Sequence, residues 1–146
     1  PQAARYARCR ADPRFPAPWT DALYRLWMRN SLSRERADDV LGYVEGGELH
    51  GFYTVRVVEG KGESVGNLEL FAVDAPMRGR GIGTALLTAG LAWMHAREIT
   101  RATVTTQVQN PACALYRACG YSEAGHEAIY HLWPHGRAAL HANGAK

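Results

Sequence analysis

The sequence predicts a mixed α/β fold, a mostly antiparallel twisted sheet flanked by helices. Three observations predict it. Strand-like runs from Val40 to Val58 are joined by a glycine turn, an apolar strand runs into a glycine-rich segment that opens an amphipathic helix, and a β-branched strand precedes a short, well-punctuated helix. A chain of 146 residues makes one domain, 1–146, with one core, because a unit of that size buries roughly two thirds of its unfolded surface.

Ala3 to Cys9 reads as a short first strand, and the prolines between Asp12 and Pro18 demand extended or turn-like backbone. Thr20 is placed to cap a helix from Asp21 to about Asn30, with Leu23, Leu26, Trp27 and Asn30 on one face. A second helical piece is expected over Ser33 to Asp38. From Val40 the period changes to that of a strand, and Glu45-Gly46-Gly47-Glu48 reads as the turn of an antiparallel hairpin continuing through Leu49 to Val58. Gly60 to Gly66 is a second turn, and Leu68 to Val73 an apolar strand broken only by Glu69. Beyond Gly83, Leu87, Leu91 and Met94 recur at helical spacing, and His95 and Arg97 stand where the helix end favours positive charge. Ala102 to Gln107 is a β-branched strand. Asn110-Pro111 then opens a helix closed by Gly120, in the order of cap, first-turn proline and terminal glycine. His126 to Trp133 reads as a last strand, with a frayed tail from Pro134 onward.

Composition narrows the function classes. Apolar residues make up 47% of the chain and charged ones 21%, the balance of a globular protein. No apolar stretch is long enough to span a bilayer, and the N-terminus lacks the basic-then-apolar order of a secretory signal, so a cytoplasmic location without membrane partners is expected. Cys9, Cys113 and Cys119 are odd in number and lack metal-ligand spacing, which signals neither a disulfide scaffold nor a metal site. A net charge of +3 suits an anionic ligand but is too diffuse for nucleic acid. The chain opens at Pro1 without methionine, which fits a trimmed initiator and a fragment equally.

The densest signal is Arg78-Gly79-Arg80-Gly81-Ile82-Gly83-Thr84, between a buried strand and a helix. There successive backbone N–H groups and the positive helix end converge, as an anion requires. Glycines allow close approach of the backbone, and the Arg78 and Arg80 guanidinium groups match phosphate oxygens. A tight turn with two solvated arginines is the plainer alternative. A P-loop would need Gly-Lys-Ser/Thr at its end and a dinucleotide fingerprint a glycine in place of Thr84, and both are absent.

Val73 through Leu87 resembles motif A of the GNAT superfamily of acyltransferases, Arg/Gln-x-x-Gly-x-Gly/Ala, and Asn110 to Tyr121 resembles motif B, an Asn followed by Ala, Leu-Tyr and Gly-Phe/Tyr. The resemblance implies a GNAT fold and acetyl-coenzyme A as acyl donor, with no metal. It further implies that the Phe71 and Val73 backbone pairs with the pantetheine arm and that Arg78, Gly79, Arg80, Gly81, Gly83 and Thr84 hold the pyrophosphate. Asn110 then meets pantetheine and Tyr116 lies near the sulfur. Asn110 stands one residue closer to Tyr116 than the commonest spacing, a step that turns a helix by about 100°, and Gln109 is a substitute. Asn110 is equally a plain helix cap, and Tyr116 a plain core tyrosine.

Acetyl transfer to an amine needs a neutral nucleophile, a polarised carbonyl and a protonated leaving thiol. The resemblance gives the carbonyl to a strand amide within Phe71 to Val73. A phenol with an ordinary pKa near 10 is protonated at neutral pH, which makes Tyr116 the acid candidate. By simple alternation Glu69 shares a side with Phe71 and Val73 and is the base candidate, with His131 behind it. Softer features, Asp12 to Pro16, Leu23 to Trp27, Thr106-Gln107 and Tyr130 to Trp133, resemble dTDP-fucosamine and related nucleotide-aminosugar acetyltransferases, which are commonly longer at the N-terminus. They imply a small-molecule amine acceptor, with a homodimer left open. A peptide N-acetyltransferase and a noncatalytic acyl-coenzyme A-binding module are the alternatives.

Overall fold

The computed structural model describes Cys9 and residues 12–60 and 62–132. Cys9 is helical, and the rest of the strand expected from Ala3 lies outside the described residues, as does the tail from Pro134. Helix α1, Ala17–Leu32, starts earlier than expected. Pro18 fits its first turn, where no backbone donor is needed, so Thr20 lies inside the helix as a fully buried residue and not at its cap. Its inward face is also one step off the expected one. Thr20, Tyr24, Trp27 and Ser31 turn inward, while Leu23 and Leu26 stay exposed. Ser31 satisfies its hydroxyl on the Trp27 carbonyl at 2.9 Å, which lets a polar residue occupy a buried helix position.

The segment from Ser33 to Asp38 is a turn, not a helix. Arg34 is left-handed at φ 63°, and the Asn30 carbonyl accepts from the amides of both Glu35 and Arg36.

Strands β1 (Asp39–Glu45), β2 (Glu48–Glu59), β3 (Ser64–Val73) and β4 (Arg101–Val104) form one sheet in chain order. The first three are antiparallel and β4 joins β3 in parallel, the mixed, mostly antiparallel sheet that was expected. Gly46 and Gly47, at φ 62° and 83°, make the two-residue turn whose twist matches a hairpin. A 3-10 turn, Ala75–Met77, leads to helix α2, Ile82–His95, and helix α3 spans Ala112–Ala118. No strand is formed over residues 126–132. Ile129, Tyr130 and Leu132 there are half or more exposed, so no sheet edge rewards the extended backbone.

Helix α2 lies across β1, β2 and β3. Ile82, Leu86, Leu87 and Met94 press on Tyr53, Val55 and Leu68, all essentially removed from water. Two glycines make this close contact: a Cβ on Gly90 would stand 2.6 Å from the Tyr53 ring and one on Gly66 would stand 2.4 Å from the Met94 sulfur. The far end of α2 is tied down by Trp93, whose indole N–H donates to Asp39 Oδ2 at 2.7 Å while Arg97 covers its ring at 3.8 Å.

A bulge in β3 governs the site. Thr54 of β2 faces Leu70 but the next residue, Val55, faces Leu68, so Glu69 is an extra residue without a partner across the ladder. The Leu70 N–H is satisfied by the buried Thr54 hydroxyl at 2.9 Å. The added residue reverses the alternation. Gly66 and Leu68 face α2 before the bulge, and Phe71 and Val73 face it afterwards.

Candidate active site

The glycine run takes an alternating backbone conformation, a nest, of the kind that can hold an anion. Gly79 and Gly81 are left-handed at φ 78° and 79° on either side of Arg80, which is not. Such alternation gathers successive N–H groups into a concavity. Gly81 precedes the first turn of α2 and no side chain caps that turn. The first amide with a helical acceptor is that of Ala85, bonded to the Gly81 carbonyl at 2.9 Å. The N–H groups of Ile82, Gly83 and Thr84 therefore point along the positive end of a 14-residue helix without a helical partner.

The two arginines are placed differently from one another. Arg78 Nε donates to the Val73 carbonyl at 3.1 Å, tying the loop to the end of β3. Arg80 reaches out of the nest, with one guanidinium nitrogen 3.0 Å from Glu45 Oε1 on the β1–β2 hairpin and the other 3.0 Å from the Met77 sulfur.

Beside the nest the sheet opens. β3 and β4 pair only from Val65 with Arg101 to Leu68 with Val104. From Glu69 to Val73 the β4 side of β3 has no strand partner among the described residues, leaving the backbone around Phe71 and Val73 an open edge. The strand expected to reach Gln107 stops at Val104 because the chain turns there. Asn110 N–H closes on the Gln107 carbonyl at 2.9 Å. Its side chain works in the same turn, Nδ2 donating to Thr106 Oγ1 at 2.8 Å and Oδ1 accepting from Ala112 N–H at 3.1 Å. Asn110 is thus a helix cap, with the second Nδ2 hydrogen left for another acceptor.

That cap orients α3, which carries Tyr116 inward. Tyr116 is 6% exposed, its ring 6.2 Å from that of Phe71 and 5.8 Å from that of Tyr121. Burial pushes its phenol above the ordinary tyrosine value, and Cys113 and Tyr121 add to the effect. Leu115, on the same helix, meets Gly83, where a Cβ would stand 2.8 Å from it and 3.4 Å from Phe71. The glycine run, the open edge and Tyr116 are therefore neighbours. Tyr121 and Tyr53 lie beneath them. Their hydroxyls are buried and lie close enough to influence one another.

Glu69 is not on the side that simple alternation predicts. The bulge turns it away from Phe71 and Val73 and onto the opposite face with Asn67, whose Nδ2 donates to Glu69 Oε1 at 2.8 Å. Asn67 in turn accepts from Thr103 Oγ1 at 3.2 Å, so the carboxylate is held at the point where β3 and β4 separate. His131 pairs with Asp12 at 3.0 Å and packs edge-on to Phe15, a contact between the two ends of the described chain. Sequence reasoning missed Glu45 and the bulge. Neither leaves a local pattern, since one is a contact across 35 residues and the other a single uncompensated residue.

The acetyltransferase (GNAT) family pattern matches residues 6–121. The chain belongs to the GNAT acetyltransferase family. It is 31% identical over 131 residues to a mycothiol acetyltransferase of Clavibacter michiganensis subsp. michiganensis, covering 89% of this chain and 37% of that protein. The chain thus spans little more than a third of the length of that relative. It is 33% identical over 130 residues to an aminoglycoside N(6')-acetyltransferase type 1 of Stenotrophomonas maltophilia, covering 77% of this chain and 84% of that protein. Among solved structures, the aminoglycoside N-acetyltransferase AAC(6')-Iy in complex with CoA superposes with a TM-score of 0.61 at 19% identity, over 75% of this chain and 90% of that one, a likeness of fold. Neither curated relative is a nucleotide-aminosugar acetyltransferase, so the finer resemblance read from the soft features has no support from them. Among the described residues no helix is long and apolar enough to cross a membrane.

Proposed function

We propose that this protein transfers the acetyl group of acetyl-coenzyme A to a primary amine of a small molecule. The observation that carries the reading is the placement of an uncapped, glycine-lined helix N-terminus beside an open strand edge, with a buried phenol on one side of that edge and a carboxylate on the other. Acetyl-coenzyme A, when bound, supplies the activated acetyl thioester. The amides of Gly79, Arg80, Gly81, Gly83 and Thr84 fit its diphosphate, with Arg78 holding the loop to β3. The edge of Phe71 to Val73 offers backbone groups to the pantetheine amides and an N–H to the carbonyl, and Asn110 retains one donor toward the same arm.

Tyr116 then donates to the sulfur as charge develops there, and Glu69 takes the proton of the incoming amine directly or through water. The bulge gives this division its physical sense. In acyl transfer the amine arrives and the thiol leaves from different sides of the reacting carbon. Turning Glu69 away from the side of Phe71 and Tyr116 separates the two roles across the strand.

The acceptor is an amine of an amino-bearing sugar compound. The similarity to an aminoglycoside acetyltransferase of comparable length supports this class, and dTDP-linked amino sugars are the narrower candidates. A thiol-release assay with acetyl-coenzyme A against aminoglycosides, dTDP-amino sugars, polyamines and peptides tests it. Release above background hydrolysis with an amino-bearing sugar is expected. Turnover confined to peptides would move the acceptor to protein, and coenzyme A binding without turnover on any amine would leave a binding module.

A further inference from the structure

We propose that Glu45 is a positioning residue for the cofactor nest and that Arg80 serves as its strut, not as a phosphate ligand. This rests on the proposed binding of coenzyme A at the N-terminus of α2. Glu45 ends β1 at the glycine turn of the hairpin and belongs to no motif. Nonetheless its Oε1 accepts from Arg80 at 3.0 Å, across 35 residues of chain, and the second guanidinium nitrogen rests on Met77 at 3.0 Å.

The backbone explains why a strut is useful. Arg80 stands between two left-handed glycines, Gly79 and Gly81, neither of which has a side chain to anchor. Glycine gives up more conformational freedom on ordering than any other residue, so a nest built from it is costly to hold in shape before an anion arrives. Side-chain ties from the loop run in two directions: Arg78 to the end of β3 and Arg80 to the hairpin. The hairpin is itself rigid, set by the paired turn of Gly46 and Gly47 and by seven ladder partners between β1 and β2. Pinning Arg80 to it fixes the amides on either side. It also turns the guanidinium away from the concavity and cancels its charge against a carboxylate, leaving the nest to attract an anion through its N–H groups and the helix end.

The two roles for Arg80 predict opposite results. Coenzyme A binding is measured by calorimetry for the unsubstituted chain, Glu45→Ala, Arg80→Ala, the double variant and the charge swap Glu45→Arg with Arg80→Glu. Thermal unfolding of each serves as a control. With Arg80 as a strut, each single substitution weakens binding about threefold to fivefold, the range an exposed ion pair sustains. The double variant is then no weaker than either single one, the swap recovers most of the affinity, and the loop amides exchange faster in the single variants. A ligand role gives the reverse: Glu45→Ala frees the guanidinium and tightens binding, and the swap puts a carboxylate against the phosphates and abolishes it. Tighter or unchanged binding in Glu45→Ala, or failure of the swap to recover affinity, overturns the proposal. Failure of the unsubstituted chain to bind coenzyme A overturns the cofactor reading itself, and is told apart because no substitution is involved.

Discussion

Replacing Tyr116 by phenylalanine removes one oxygen and leaves the packing in place. The ring still meets Phe71 at 6.2 Å and Tyr121 at 5.8 Å, so the site keeps its shape. The size of the expected loss follows from the environment of the phenol. Burial holds it above its ordinary value, so it keeps its proton and is a weaker acid than free tyrosine. Complete transfer to a thiolate, whose ordinary pKa is near 8.5, is uphill, and what Tyr116 provides is a preorganised hydrogen bond to the charge forming on sulfur. One donor of that kind in a dry site is worth roughly 100-fold in kcat, about 3 kcal/mol of barrier. The bond strengthens only in the transition state, so coenzyme A affinity should change less than about threefold, the mark of an interaction absent from the ground state. Steady-state kinetics with the best acceptor, with calorimetric coenzyme A binding and thermal unfolding beside them, separate these effects. An unchanged kcat removes Tyr116 from the chemistry, and a loss of affinity as large as the loss of rate would show that the hydroxyl binds cofactor and does not stabilise the departing sulfur.

Gly81→Asp should weaken coenzyme A binding about 30-fold while the protein stays folded. Aspartate tolerates the left-handed backbone and suits a helix start, but a carboxylate within about 4 Å of a diphosphate costs up to about 4 kcal/mol at an effective dielectric of 20, reduced here by exposure; undiminished affinity would put the anion elsewhere. Gly90→Ala should lower stability by about 1 to 2 kcal/mol in urea titrations, since a methyl 2.6 Å from the fully buried Tyr53 ring outweighs the helix propensity gained, and a stabilised variant would refute the packing described. The phenols of Tyr53, Tyr116 and Tyr121 are all raised, in each case chiefly by burial. The unfolded chain therefore loses these protons first as pH climbs. Stability should be full below about pH 10 and fall progressively above it, as urea midpoints against tyrosinate absorbance will show, whereas a midpoint that rises or stays level there would contradict the burial.

The parts of the site that sequence made legible are those with a local cause. A run with glycine at every second position between an apolar strand and an amphipathic helix has few structures open to it, and it took the expected one. Asn110, Pro111 and Gly120 bracket α3 for equally local reasons. The illegible parts depend on partners distant in the chain. Alternation put Glu69 beside Phe71 because alternation assumes an unbroken ladder, and nothing in Leu68 to Val73 announces that Thr54 will take the Leu70 amide and leave one residue over. The inward stripe of α1 is illegible because Thr20 and Ser31 are buried through small size, with the Ser31 hydroxyl on the Trp27 carbonyl, and not through apolarity. The neighbourhood of Arg80 points it at a phosphate, and only the hairpin arriving from upstream shows the contact it makes with Glu45.

Helix α2 has a mechanical consequence. Its 14 residues form a rod about 21 Å long, with the glycine loop proposed to hold the diphosphate at one tip and the Trp93 anchor on Asp39 close to the other. A rotation of about 3° at that anchor swings the opposite tip by about 1 Å, a displacement large enough to cost an enzyme two orders of magnitude in rate. Damage to a tryptophan remote from any reacting atom would thus register as poor catalysis, and a survey confined to the neighbourhood of the thioester would not find its origin.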